Sequence, residues 1–476
     1  MNLPYILSTP DKPWSEHLAE PTTETPDLVV TGEVFQTVLG FGACFNELGW
    51  KALSRLTEAD RTSVLTRLFS PSQGCGFEFC RLPIGANDFS DDWYSHAETD
   101  GDLSMAAHSI ERDQRSLIPF VRAATAVSGR PPALFASPWS PPEWMKERQV
   151  YNGSVLQWTP EIRAAYALYL LKFVRAYRAE GIPILQLHVQ NEPGSDQKFP
   201  SCLWTGERLA AFIRDDLGPL FEAENEPCEI WLGTLEKGIE HGYDPVTIGA
   251  RNYARWVHPT LGDPACRRHV KGLGLQWDGK GLLPVLAKCW PEVPLIQTES
   301  ECGDGQNSWG HMLYTADLMW QFFQHGAVSY VYWNMALETG GLSTWGWHQN
   351  SLFTVDAENR RADATPEFHL MRHLGAVRAG ARRMGLAGIW SPFSFAFWNA
   401  DDSLVILLWN PTEQAKQVGL DVLGRRHAIP LAARSLASIK FAGFTPPTWW
   451  LTRLFPQAKQ PHVTMSLNEK PPSRLR

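Results

Sequence analysis

The chain has 476 residues, 44% of them apolar and 20% charged, with a formal net charge of −8. That length can bury a barrel-sized core plus an accessory module, and the acidic balance excludes the basic surface that nucleic acid requires. The 21 Trp residues point elsewhere, since indole faces stack on the C–H faces of sugars, although core packing is the commoner use of any single Trp.

From about residue 37 to 383, short β-type runs alternate with longer helical patterns, the rhythm of βα units with parallel strands. The predicted strands are Thr37–Phe45, Phe77–Gly85, Ala133–Trp139, Ile184–Glu192, Glu229–Glu236, Val270–Trp277, Leu295–Glu299 and Val328–Met335. Eight is the number that closes a (β/α)₈ TIM barrel, an α/β fold. Several strands are apolar on both faces, as in Ser329-Tyr-Val-Tyr-Trp333, which suits a place between lumen and helices. Thr57, Thr159 before Pro160, and Thr365 before Pro366 read as helix N-caps, and Gly181 closes the helix ahead of strand four. Beyond about residue 385, Phe393–Trp398, Leu404–Trp409, Gln417–Leu420 and Leu436–Phe441 predict an appended β-sandwich, which Asp27–Phe35 is positioned to join. The expected division is therefore N-terminal strands over residues 1–36, the barrel over 37–384, and the β-sandwich with a Pro-rich tail over 385–476.

Met1 to Lys12 lacks a basic stretch followed by an apolar one, and no segment approaches membrane-span length. The expectation is a cytoplasmic protein without a membrane partner. Eight Cys at irregular spacing read as reduced thiols, and Cys75 and Cys80 have no partners at zinc spacing, so no metal is expected. Gly40-Phe-Gly42 lacks the third glycine of a dinucleotide loop. No cofactor is expected. Self-association into a homo-oligomer stays open.

Polar residues at the C-terminal ends of barrel strands read as catalytic. Strand four runs into Asn191-Glu192-Pro193, and strand seven ends Gln297-Thr298-Glu299 with Glu301 two residues on. Two carboxyl groups facing one cavity are what glycoside hydrolysis needs: one protonated to expel the leaving oxygen, one ionised to attack the anomeric carbon.

The motifs Gly40-Phe-Gly-Ala-Cys-Phe45, Arg81-Leu-Pro-Ile-Gly-Ala-Asn-Asp-Phe89, Ala136-Ser-Pro-Trp-Ser-Pro-Pro-Glu-Trp-Met-Lys146, Val189-Gln-Asn-Glu-Pro193, Gln297-Thr-Glu299, Tyr332-Trp-Asn334 and Gly380-Ala-Arg-Arg383 occur in order. Through them the chain, over roughly residues 30 to 441, resembles glycoside hydrolase family 30. The resemblance implies that Glu192 is the acid/base and Glu299 the nucleophile, with net retention of configuration. It implies that Arg81 orients and charge-stabilises Glu299, and that Asn191 holds the sugar 2-hydroxyl. Asp88, Trp139 and Trp333 would line the glycone pocket, while Trp345 and Trp347 would border the aglycone side. Glu301 would be a supporting residue.

Two positions depart from the glucosylceramidase branch of the family. Gln276-Trp277-Asp278 stands in place of His-Trp-Tyr, and Phe199 in place of Tyr, so the substrate site here would be lined by an amide and a bare ring. The expected function is an exo-acting retaining β-glucosidase for a small or oligosaccharide β-glycoside. A β-xylosidase, a β-fucosidase or an endo-β-1,6-glucanase of the same family are alternatives, and a non-catalytic sugar-binding barrel is the remote one.

Overall fold

The computed structural model describes residues 2–236 and 251–444. The tail after Pro446, assigned from sequence to the C-terminal β-domain, lies outside the described residues.

Eight parallel strands pair in chain order and the seventh returns to the eighth, closing the barrel. They are Gly40–Cys44, Phe79–Ile84, Ala133–Pro138, Ile184–His188, Glu229–Leu235, Val270–Gln276, Leu295–Glu299 and Ala327–Glu338. The first is shorter than the sequence suggests. Thr37 ends a separate strand, Leu28–Thr37, and Gly40 turns the chain at φ +133°, a conformation side-chain-bearing residues rarely adopt. Helix starts follow the capping rule: Thr57, Thr159 and Thr365 accept from the backbone N–H groups of Asp60, Ile162 and Phe368. Gly181 takes φ +77° after the helix Pro160–Ala179.

Inside the barrel, Phe79, Phe135, Trp231, Ile296 and Val331 pack as a cluster of their own. The His188 ring lies 4.7 Å from Phe135 and 5.5 Å from Trp231, filling the gap between them. The lower lumen is thus solid, so a ligand can approach only from the C-terminal ends of the strands.

A second sheet of nine strands also closes on itself. It gathers Leu3–Ser8, Ser15–Pro21 and Leu28–Thr37 with six strands between Arg382 and Phe441. Period-two alternation divides the strands Ser394–Trp398 and Leu404–Asn410 between two cores. Ala396, Leu404, Ile406 and Leu408 face the interior of this β-domain, while Phe395, Phe397, Val405, Leu407 and Trp409 join the barrel core. There Phe323, from the helix Trp309–Gln324, meets Phe395 and Phe397 at 5.9 and 5.6 Å, and Trp409 Nε1 donates to Asp317 at 2.8 Å. Each such aromatic ring, fully buried, stabilises the packing by about 1.5–3 kcal/mol. The two units share one apolar interface.

Candidate active site

Arg81 sits mid-strand in the second barrel strand and has no solvent exposure. Its Nη1 donates to Oε2 of Glu299, the last residue of the seventh strand. Its Nη2 donates to Asn191 Oδ1 at 2.6 Å and to Ser137 Oγ at 2.9 Å, and its Nε donates to Ser137 at 3.2 Å. The guanidinium carbon lies 4.4 Å from the Trp139 ring and 5.5 Å from Trp333. Each nitrogen of the cation has a hydrogen-bond acceptor and its plane lies near aromatic rings, as a buried charge requires.

Gln276, at the end of the sixth strand, reaches the same groups. Its Nε2 donates to Glu299 Oε2 at 2.9 Å and to Asn191 Oδ1 at 3.0 Å. Asn191 Oδ1 also accepts from Thr234 Oγ1 at 2.8 Å. With three donors on its oxygen, Asn191 is oriented with Nδ2 as its remaining donor.

Glu192 lies four residues beyond the end of its strand, not at the strand end itself. Backbone bonds to the fifth strand continue past His188: Gln190 N–H to Gly233 at 2.9 Å and Glu192 N–H to Thr234 at 3.0 Å. Glu192 takes φ +46°, a left-handed conformation that costs a non-glycine residue about 1–3 kcal/mol and marks a site held by its surroundings. Its side chain is half-buried and accepts from Gln197 Nε2 at 2.9 Å.

Asp88 comes from the loop after the second strand. Asn87 Oδ1 shapes this loop by accepting from Phe89 N–H at 2.7 Å, and Gln349 Nε2 reaches Asp88 Oδ2 at 3.5 Å. Trp139 and Trp333 are buried with ring centres 5.6 Å apart, and they cluster with Cys44, Phe89 and Phe199. The Trp333 indole N–H has no protein partner among the described residues. A buried donor left open near Arg81 fits a ligand hydroxyl. Phe199 meets Trp347 edge-on at 5.4 Å, and Trp345 stacks on Trp93 at 5.8 Å.

Electrostatically, Asp88, Glu192 and Glu299 converge on the one guanidinium of Arg81. Burial pushes Glu299 up, Arg81 pulls it down, and the charges of Glu192 and Asp88 add to the rise. Burial and the charge of Glu192 push Asp88 up to about 7. Glu192 is raised by desolvation, against the hydrogen bonds of Gln197 and Gln276. The direct ion pair makes Glu299 the group best suited to carry charge, and Glu192, with amide donors only, the one suited to carry a proton.

The residues Arg81, Asn191, Glu192, Gln276 and Glu299 thus form one connected set, with Asp88, Trp139, Trp333 and Phe199 around it. Gln276 is bonded into the carboxyl network. Trp345 and Trp347 stand at the rim. Glu301 turns away: its carboxyl bonds Tyr314 and its carbonyl oxygen lies 3.4 Å from His311 Nε2. Sequence reasoning passed over Ser137, Thr234, Gln197, Gln349 and Trp93. Ser137 and Thr234 carried a signal, as polar residues inside apolar strands; the other three are loop residues without one.

A family model described as the glycosyl hydrolase family 30 TIM-barrel domain matches residues 38–374. The lysosomal acid glucosylceramidase of Mus musculus is 26% identical over 409 residues, 80% of this chain and 76% of the relative. An endo-1,6-beta-D-glucanase of Neurospora crassa is 25% identical over 409 residues, 79% of each chain. Among solved structures, SrfJ from Salmonella typhimurium superposes with a TM-score of 0.82 at 24% identity, covering 93% of this chain and all of that one.

Proposed function

This chain belongs to glycoside hydrolase family 30, a family of retaining glycosidases, and from that premise we propose that it is an exo-acting β-glucosidase with Glu299 as nucleophile and Glu192 as acid/base. Both amide and guanidinium donors bond Oε2 of Glu299, which leaves Oε1 to attack the anomeric carbon. As that bond forms, Glu192 gives its proton to the glycosidic oxygen and the aglycone leaves. Arg81 and Gln276 hold the Glu299 ester geometry, and Asn191 Nδ2 holds the sugar 2-hydroxyl. Glu192 then takes a proton from water, the water oxygen attacks the anomeric carbon, and Glu299 departs as carboxylate. Two inversions give retention.

One observation carries the exo reading. The loop bearing Asp88 and the loop after the eighth strand are sealed against each other. Trp93 stacks on Trp345 with an interplanar angle of 12°, Thr344 Oγ1 donates to Ser90 O at 2.7 Å, and Gln349 reaches Asp88. This seam, which holds Trp345 here rather than at the aglycone-side position the resemblance implied for it, closes the cavity beside Asp88 and supports a pocket for one terminal sugar over a groove that lets a chain run through. Phe199 and Trp347, the latter 36% exposed, give the aglycone an apolar rim.

The test is a panel of aryl β-glycosides together with β-1,6- and β-1,4-linked gluco-oligosaccharides. Cleavage of the aryl β-glucoside, with glucose as the sole early product and its β-anomer formed first, is the expected result. Cleavage of internal bonds first would replace the exo reading by the endo-β-1,6-glucanase alternative, and preference for xyloside or fucoside would replace the glycone.

A further inference from the structure

Glu236 directly follows the fifth barrel strand, two residues past Thr234. Thr234 is already part of the site through Asn191. Glu236 accepts from the hydroxyl of Ser195, and Ser195 N–H donates to Glu192 O at 3.1 Å, closing the turn that begins at Glu192. Glu192 N–H in turn donates to Thr234 O. Glu192 and Glu236 are thus tied together below by backbone pairing and above by Ser195.

Among the described residues, the charged groups facing this pair are Arg81 from the second strand, Asp278 from the end of the sixth and Glu299 from the seventh, with Asp88 facing Glu192 and Glu299. Arg81 is committed to Glu299, and Lys280 to Asp278 at 3.7 Å. Neither cation is left to neutralise the two half-buried carboxyl groups, and the charge of Glu192 acts on Glu236 directly.

We propose that Glu236 is a positioning residue for the acid/base, sharing one proton with Glu192 so that Glu192 stays the donor through neutral pH. It rests on the reading of Glu192 as acid/base. Two carboxyl groups that cannot both ionise titrate as a pair, and the upper step belongs to both. The electrostatics agree in direction: desolvation and the charge of Glu192 push Glu236 well above the usual carboxylate range. The shared proton leaves through Glu192 to the glycosidic oxygen and returns from the hydrolytic water, so the pair ends each turnover as it began.

The test is the pH dependence of kcat/KM for an aryl β-glycoside with a poor leaving group, where protonation matters most. Glu236→Gln removes one carboxyl of the pair and is expected to move the basic limb down by roughly one unit or more, with the thermal midpoint kept. Glu236→Asp, with the carboxyl one methylene farther off, is expected to fall between that and the wild type. A basic limb that stays in place in a folded Glu236→Gln overturns the proposal; if that variant does not fold, a Glu236→Asp limb coinciding with the wild type overturns it. Glu192→Ala with added azide decides the underlying reading separately. A β-glycosyl azide product supports the acid/base assignment, and failure of rescue removes that assignment and the proposal with it.

Discussion

Arg81 and Glu299 form an ion pair with side-chain exposures of 0% and 8%, and Glu299 is the group on which a buried guanidinium spends its best-aimed donor. Burial alone favours the protonated acid, whereas Arg81 favours the anion. Arg81→Met removes the lowering influence, so the pKa of Glu299 rises and less of it is ionised at any given pH. The acidic limb of kcat/KM is expected to move to higher pH, with kcat/KM falling by about 10²–10³ as when a preorganised donor is lost. Unpairing a buried carboxylate costs about 3–5 kcal/mol, but only above the raised pKa, because below it Glu299 takes up a proton instead. Arg81→Lys keeps the charge without the fork and is expected to shift the limb less. A limb unmoved in Arg81→Met would mean that something else keeps Glu299 ionised.

Gln276 donates one amide to Glu299 and Asn191 at once. Gln276→Leu keeps the volume and deletes the donor. Hydrogen bonds to charged groups are worth about 1.5–3 kcal/mol, which converts to roughly 10–150-fold in kcat/KM. The loss is expected in the first half-reaction, where Glu299 attacks. Inactivation by a 2-deoxy-2-fluoro glycoside, which reports that step alone, would slow in parallel with kcat/KM. An inactivation rate equal to the wild type would confine Gln276 to substrate binding.

How far the sequence carries this site depends on whether a residue ends a strand. Gln276 and Glu299 end their strands, where the C-terminal-end rule places them at the mouth, whereas Arg81 lies mid-strand and was legible only through the family resemblance. Glu192 was traceable, but its left-handed turn was not, because propensity gives a glutamate no reason to adopt φ +46°. Gln349 and Trp93 were invisible, since their contacts join loops 261 residues apart for Gln349–Asp88 and about as far for Trp93–Trp345. The closing of the nine-stranded sheet was hidden for the same reason: Leu3–Ser8 pairs with Ser435–Phe441 across nearly the whole described chain.

Trp93 and Trp345 give the seam its testable consequence. An aromatic pair of this kind is worth about 0.5–1.5 kcal/mol, so Trp93→Ala should fold while loosening the loop that carries Asp88. For a simple aryl glycoside, KM is expected to rise by roughly fivefold to tenfold with kcat little changed, as uniform binding is lost. With gluco-oligosaccharides, disaccharide is expected to appear beside glucose. Unchanged KM together with glucose alone would show that the wall lies elsewhere.

Glu367 offers a measurement away from the chemistry. It is fully buried in the first turn of the helix Pro366–His373; its Oε1 accepts from Asn350 Nδ2 at 3.0 Å, and its Oε2 has no partner among the described residues. Burial pushes its pKa up to about 7, against about 4.3 for an unfolded glutamate. A carboxyl raised in the folded state contributes stability in full below its unfolded pKa, and that contribution is lost as pH rises to and through the folded pKa. Wild-type stability therefore falls between about pH 4 and 7 on account of this group. Glu367→Gln stays neutral and escapes that loss, which amounts to roughly 3.5 kcal/mol at pH 8.5 against roughly 1 kcal/mol at pH 5. Thermal midpoints of the two proteins are expected to diverge as pH rises, with the variant higher at the alkaline end. Midpoints that run parallel across pH would mean that Glu367 is ionised in the folded protein and that its second oxygen is satisfied in solution.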